Sequence, residues 1–163
     1  MSTKRQIITK NLSDKTEKLI NPHKDVRVYT SKEVTFDYST DYSIRVDYMK
    51  FIPKNNSISG IEKGDFYCYE IKSCEDDFNS EHGHNFIGDY NYYVMPSSLY
   101  NKISSKILGY VGVYIEDEYG DLISIKKARR INRTKATSEM LLMMFRSSNR
   151  ELMKLQKKRD IQQ

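Results

Sequence analysis

A mixed α/β fold, strands followed by alternating helices and strands, is what the sequence predicts, and three observations predict it. Runs of β-branched and aromatic residues alternate with polar ones in "EVTFDY", "SIRVDYMKFI" and "FYCYEIKS". Polar stretches that open like helices separate the later strand-like runs, and apolar residues recur at helical spacing near the end of the chain. At 163 residues the chain has the length of one domain with a sizeable core.

The elements follow in order. Residues 1–10 read as a flexible basic lead-in. "NLSDKTEKLINPH" reads as a short helix that Asn11 or Ser13 caps and Pro22 ends. The alternation predicts a strand from about Glu33 to Tyr38 and another from Ser43 to Ile52, and the turn formers of "NNSISGIEKGD" predict a mobile loop. A third strand, "FYCYEIKS", leads into "CEDDFNSEHGHNFIGDY", whose acidic start suits a helix N-terminus, although Gly83 and Gly88 blur its limits. "NYYVMP" is a fourth strand stopped by Pro96, "SSLYNKISSKI" a serine-capped helix, and "GYVGVYIEDEYGDLISIKKARR" a hairpin turning near Tyr119 to Asp121. The core domain is then 11–136, and 137–163 form an amphipathic helix with Leu141, Phe145, Leu152 and Leu155 on its apolar face. The cluster from Met140 to Phe145 exceeds what one face needs, so this helix either packs on the domain or joins two copies as a homodimer.

Composition narrows the setting. Lys plus Arg number 27 against 22 Asp plus Glu, a net charge of +5 that mildly favours a polyanionic partner. The first residues carry no apolar targeting core and no run of about 18 apolar residues occurs, which argues against secretion and membrane spanning. Two cysteines, Cys68 and Cys74, are too few for a disulfide framework, and a reducing cytoplasm is the expected location.

The chemistry is concentrated in "YEIK". Residues two apart on a strand share a face, so Glu70 and Lys72 point together, away from Tyr69 and Ile71. Such a pair is ordinarily a surface ion pair of little worth. Asp47, in "IRVDYMKF" on the preceding strand, changes that reading, because hairpin pairing of the two strands sets it opposite Glu70. Two carboxylates and the main-chain carbonyl of Ile71 form an oxygen-only donor set suited to Mg²⁺ or Mn²⁺. An ion there can clamp a scissile phosphate and acidify a bound water, with Lys72 orienting that water and offsetting developing charge.

With Asp47 as first acid and Glu70-Ile71-Lys72 as the E-x-K, the sequence resembles the PD-(D/E)xK nuclease superfamily. More closely, "RVDYMKF", "FYCYEIKSCEDDFNSEHGHNFIGDYNYYVMPSSLY" and "ILGYVGVYI" are similar to small phage and prophage proteins related to the MmcB-like branch of DNA-repair endonucleases, over about Glu33 to Arg130. No proline precedes Asp47, where Val46 stands, a departure common in the superfamily. The resemblance implies a restriction-endonuclease-like core in the order αβββαβ, here with an added hairpin and the long terminal helix. It also implies a Mg²⁺- or Mn²⁺-dependent DNA endonuclease or nickase, working in the host cytoplasm if phage-encoded. The alternative is a non-catalytic DNA- or protein-binding accessory, such as an anti-defence factor, on the same fold. The superfamily often adds an upstream acid, and Glu17 or Glu33 fills that place, Glu33 being preferred.

"KKARRINRTK" brings six basic residues into ten positions without an acid. Lys126, Lys127, Arg129, Arg130 and Arg133 are therefore expected to contact DNA phosphates. His82 and His84 match no zinc spacing, and His84 is expected to reach the DNA if its segment runs back across the sheet edge. Tyr90, Tyr92 and Tyr93 offer rings for base stacking, although alternation puts at least one of Tyr92 and Tyr93 in the core.

Overall fold

The computed structural model describes residues 3–161. Six strands form one sheet in chain order: β1 (Tyr29–Phe36), β2 (Ile44–Ile52), β3 (Asp65–Ile71), β4 (Tyr90–Pro96), β5 (Gly112–Glu116) and β6 (Leu122–Lys126). The first three are antiparallel neighbours, β3, β4 and β5 run parallel, and β6 returns antiparallel to β5. Helices α1 (Thr3–Ile20), α2 (Ile58–Glu62), α3 (Glu75–Asn79), α4 (Ser97–Ile103) and α5 (Thr137–Ile161) complete the chain. The expected mixed α/β class and the α, three strands, α, strand order are present, with α2 inserted between the second and third strands.

The period-2 alternation of the strands divides the core between two faces. Met49, Phe51, Phe66 and Cys68 pack with Met140 and Met144 of α5, while Tyr93, Met95 and Val113 pack with Leu99 and Ile103 of α4. On the other face Tyr48, Tyr69, Ile71 and Val94 pack with Leu12 and Ile20 of α1. Helices on both faces are what the parallel strands require, since such strands need crossovers and burial on each side.

The lead-in expected over residues 1–10 is helical from Thr3 onward, and Met1 and Ser2 lie outside the described residues. Asn11 and Ser13 therefore cap nothing. The Ser13 hydroxyl sits 2.6 Å from the Tyr48 hydroxyl, and Asn11 donates to Glu116 at 3.3 Å. The first strand begins at Tyr29, earlier than expected, and ends at Phe36. The "NNSISGIEKGD" stretch folds into α2 because the Ser57 hydroxyl accepts the Gly60 N–H at 3.0 Å as an N-cap.

The terminal helix also differs from its expected face. Its buried stripe is Thr137, Met140, Met144 and Ser147, whereas Phe145 is 67% exposed and Leu152 and Leu155 are half-exposed. The stripe includes the Ser147 hydroxyl because α5 reaches the β1 edge of the sheet. Ser31 Oγ donates to the Met144 carbonyl at 2.9 Å, Ser147 Oγ donates to the Lys32 carbonyl, and Arg150 donates to the Glu33 carbonyl at 2.8 Å. Carbonyls alternate in direction along a regular strand, so two consecutive ones can both reach α5 only if the backbone departs from it. Glu33 supplies that departure with a φ of 51°. An edge strand left open would be a template for aggregation, and this helix covers it.

The basic run is pinned to one end of the sheet. Asp89 is 1% exposed, and its carboxylate accepts the Phe66 N–H at 2.8 Å and pairs with Arg130 at 3.1 Å and Arg133 at 3.0 Å. Asp65 holds Arg130 at 3.4 Å and Lys54 at 2.5 Å, and the Arg133 guanidinium lies 4.9 Å from the Phe66 ring centre.

Candidate functional site

Antiparallel pairing of Tyr48 with Tyr69 makes Asp47 and Glu70 the next opposed residues, near the start of β2 and the end of β3. This is the juxtaposition expected from the sequence. Asp47 Oδ2 accepts the Ile71 N–H at 2.9 Å, and the N–H and C=O of one strand residue point to the same side, so the Ile71 carbonyl also faces β2. Glu70 is 6% exposed, and its carboxyl lies close enough to that of Asp47 for the two to raise each other's cost of ionisation.

Electrostatics follow from burial. Desolvation pushes the Glu70 carboxyl well above the usual range, and the neighbouring Asp47 charge pushes it further. Burial raises the Asp47 carboxyl too, against the lowering pull of the Ile71 N–H. Lys72 is 3% exposed and its amine is pushed down by burial, opposed by Asp77, Glu70 and Asp47. Two acids sharing one low-dielectric corner are what a small divalent cation would resolve, and their oxygen chemistry fits Mg²⁺ or Mn²⁺. Among the described residues no group of three or more His, Cys, Asp or Glu side chains is arranged to hold a metal. An ion at this corner would therefore have two side-chain carboxylates and one carbonyl from the protein, with water completing its shell.

Two cavities meet at Asp47. One, about 570 Å³, runs along Arg45, Glu70, Lys72, Asp77, His82 and Gly83. The other, about 360 Å³, carries Glu17, Lys32, Glu33 and Glu151 beside Asp47. Glu33 occupies the β1 position opposite Asp47 in the register, but its side chain is exposed and lies 4.0 Å from Arg45. Glu17 reaches the same cavity from α1, so both acids weighed as an additional group flank the site and neither is gathered into the Asp47–Glu70 pair.

The loop after β3 supplies groups that sequence reasoning missed. The Lys72 amine donates to the His82 carbonyl at 2.6 Å and the Asp77 carbonyl at 3.2 Å. The Asp77 carboxylate accepts the Ser73 N–H at 3.0 Å and pairs with Arg5 at 2.9 Å. Asp77 thus ties α1 to the strand end that carries Lys72. Gly83, with φ of 74°, backs directly onto the site, since a Cβ there would lie 2.8 Å from Lys72 Nζ and 3.1 Å from Glu70 Oε2. Gly83→Ala should therefore displace the amine and strain the turn, costing about 1–3 kcal/mol of stability. Thermal unfolding of the variant beside Gly109→Ala, where a Cβ meets nothing within 4 Å, would test this.

The other expected contacts are not at this site. Glu70 and Lys72 lie at the C-terminal end of β3, whereas Asp65, which anchors Arg130, begins it, about 17 Å away at strand rise. Lys126 ends β6 level with Glu70 in the register but three strands across the sheet from it, and it donates to the Leu108 carbonyl at 2.7 Å. Arg130 and Arg133 are engaged by Asp65 and Asp89, while Lys127 and Arg129 are exposed. Density of charge in the sequence pointed to this run; strand order places it away from the acids. His84 is likewise structural. Its ring nitrogens lie 2.5 Å from the Tyr93 hydroxyl and 2.7 Å from the Phe78 carbonyl, among the rings of Phe78, Phe86 and Tyr93. Tyr93 is buried, and Tyr90 and Tyr92 stack on Tyr67 and Tyr69.

No protein-family model matches the chain, and no curated protein matches it. A solved structure of a protein of unknown function from Silicibacter pomeroyi is similar over 95% of this chain and 93% of its own, with a TM-score of 0.64 and 18% sequence identity. At that identity the likeness shows a shared fold across nearly the whole chain.

Proposed function

We propose that the chain is a Mg²⁺- or Mn²⁺-dependent hydrolase of DNA phosphodiester bonds, related to the PD-(D/E)xK nucleases. The observation that carries this reading is the opposed, buried pair Asp47 and Glu70 with the buried amine of Lys72 on the face of Glu70. Asp47, Glu70 and the Ile71 carbonyl would hold the ion, which supplies Lewis-acid polarisation of the phosphate and acidifies a bound water. Lys72, fixed by two loop carbonyls, keeps a third N–H to orient water or meet charge developing on the phosphate. Burial makes that interaction stronger than it would be in water.

One observation favours a second reading, a non-catalytic DNA-binding protein on this fold. Two of the three Lys72 donors are already occupied by His82 and Asp77 carbonyls, as in a purely structural lysine.

Titrating Mg²⁺ and Mn²⁺ calorimetrically, with plasmid nicking on the same samples, separates the two. Wild type should bind an ion and nick DNA, and Asp47→Ala and Glu70→Ala should lose both. Lys72→Ala should keep ion binding and lose about 10²–10³-fold in rate. A folded wild type that binds DNA but neither ion, and leaves the plasmid supercoiled, supports the second reading and defeats the first.

A further inference from the structure

From the place and charge of α5 we infer that its outer half is the surface that engages the phosphate backbone of duplex DNA. This rests on the reading of the chain as acting on DNA and places the interface on a different element from the 126–133 run.

At 3.6 residues per turn, Arg146, Arg150, Lys154 and Lys157 fall within an arc of roughly 80°. They extend along about 16 Å of helix at 1.5 Å per residue. From Arg146 to Ile161 the helix has six basic residues and two acidic ones, Glu151 and Asp160. Almost every residue from Ser148 to Ile161 is exposed, Glu151 alone being partly covered, so the basic arc stands open to a partner as large as a duplex. The described ion pair on the arc, Lys154 with Glu151 at 2.8 Å, is a surface pair that costs little to exchange for phosphate.

The arc also begins beside the acids. Arg150 donates to the Glu33 carbonyl at 2.8 Å, and Glu33 lies across the β1–β2 register from Asp47. Glu151, one residue along, lines the same cavity as Asp47. Arg45 and Lys32 carry positive charge across that mouth. A duplex carries about one charge per 1.7 Å of axis, so a basic helix leading away from the acids can track phosphates on either side of the bond held at Asp47 and Glu70. The exposed seam of Phe145, Leu152 and Leu155 lies on another side of the helix. Self-association would use that seam, but the excess of like charge on this half disfavours a second copy of it.

The test is binding of the full chain to a fluorescein-labelled 20-base-pair duplex in EDTA, where no hydrolysis occurs, between 50 and 200 mM salt. The variant combines Arg146→Gln, Lys154→Gln and Lys157→Gln, which keep helix propensity and leave the Arg150 anchor intact. Each phosphate contact contributes about 0.9 to the slope of log affinity against log salt, so the triple variant should lose about 2.7 of it and bind at least tenfold more weakly at 50 mM. Lys127→Gln with Arg129→Gln, beyond β6 at the opposite edge of the sheet from α5, should bind like wild type. A triple variant with the wild-type slope overturns the inference, as does a wild type that ignores the duplex while sedimenting as a dimer that the α5 changes disrupt. The two readings fail separately. A protein that binds through α5 but never nicks DNA loses the hydrolase reading alone, and a triple variant that binds and nicks normally loses this one alone.

Discussion

Asp89→Ala should destabilise the protein by about 3–5 kcal/mol, a drop in melting temperature on the order of 10 °C for a chain of this size. The carboxylate is 1% exposed, accepts the Phe66 N–H and an Arg130 N–H, and stands as counter-charge 3.0 Å from Arg133 Nε. Removing it strands the Arg133 guanidinium, whose side chain is only 13% exposed, over the Phe66 ring with no counter-charge. It also orphans a buried amide at the start of β3, and an unmade buried hydrogen bond costs more than a made one contributes. Arg130→Ala should cost within about 1 kcal/mol, because that side chain is half-exposed and its pairs are screened. Urea unfolding of both variants checks the contrast. Equal, small losses would mean that the basic run is not what ties 127–135 to the sheet.

The same residues show where the sequence was legible. Strands and the hairpin were readable because alternation is a property of neighbours in the chain, and β2, β3, β4, β5 and β6 all fall near their expected places. The Asp47–Glu70 opposition was readable for the same reason, since a hairpin of known strands fixes register. What failed was anything decided by tertiary placement. Hydrophobicity chose Phe145, Leu152 and Leu155 as the buried face of α5, whereas packing selected Thr137, Met140, Met144 and Ser147: the methionines enter the core of the sheet face, and the Ser147 hydroxyl donates to the Lys32 carbonyl. The opening of α1 is mostly polar, and its buried face is carried by Leu12, Thr16 and Ile20 in its second half. Asp77, Gly83 and the His82 carbonyl have no spacing signature, because α3 and the turn that follows it bring them to Lys72. The run from Lys126 to Lys135 was conspicuous as composition, but strand order sets Lys126 three strands away from Glu70 and the chain then leads Arg130 and Arg133 to Asp65 and Asp89.

Glu70→Gln should make the metal-free protein more stable at neutral pH, and Mg²⁺ should reverse the order of the two proteins. The folded protein holds the Glu70 carboxyl well above the unfolded value of about 4.3, with burial the main cause and Asp47 the second. A group raised on folding contributes stability that is fully present below the unfolded value and lost as pH rises through the folded one. In EDTA the wild type should therefore lose melting temperature from about pH 4 upward relative to Glu70→Gln, and the gap should widen toward pH 8. An uncompensated buried charge has a cost on the order of a few kcal/mol, so the separation at pH 8 should be several degrees. A divalent cation replaces the missing counter-charge and binds only the folded state, so added Mg²⁺ should raise the wild type by mass action and leave the glutamine variant nearly unmoved. Melting curves that stay parallel across pH, with and without the ion, would mean that Glu70 and Asp47 share a proton by design and hold no cation. Lys72 would then be a structural lysine, fixed to the loop it already bonds.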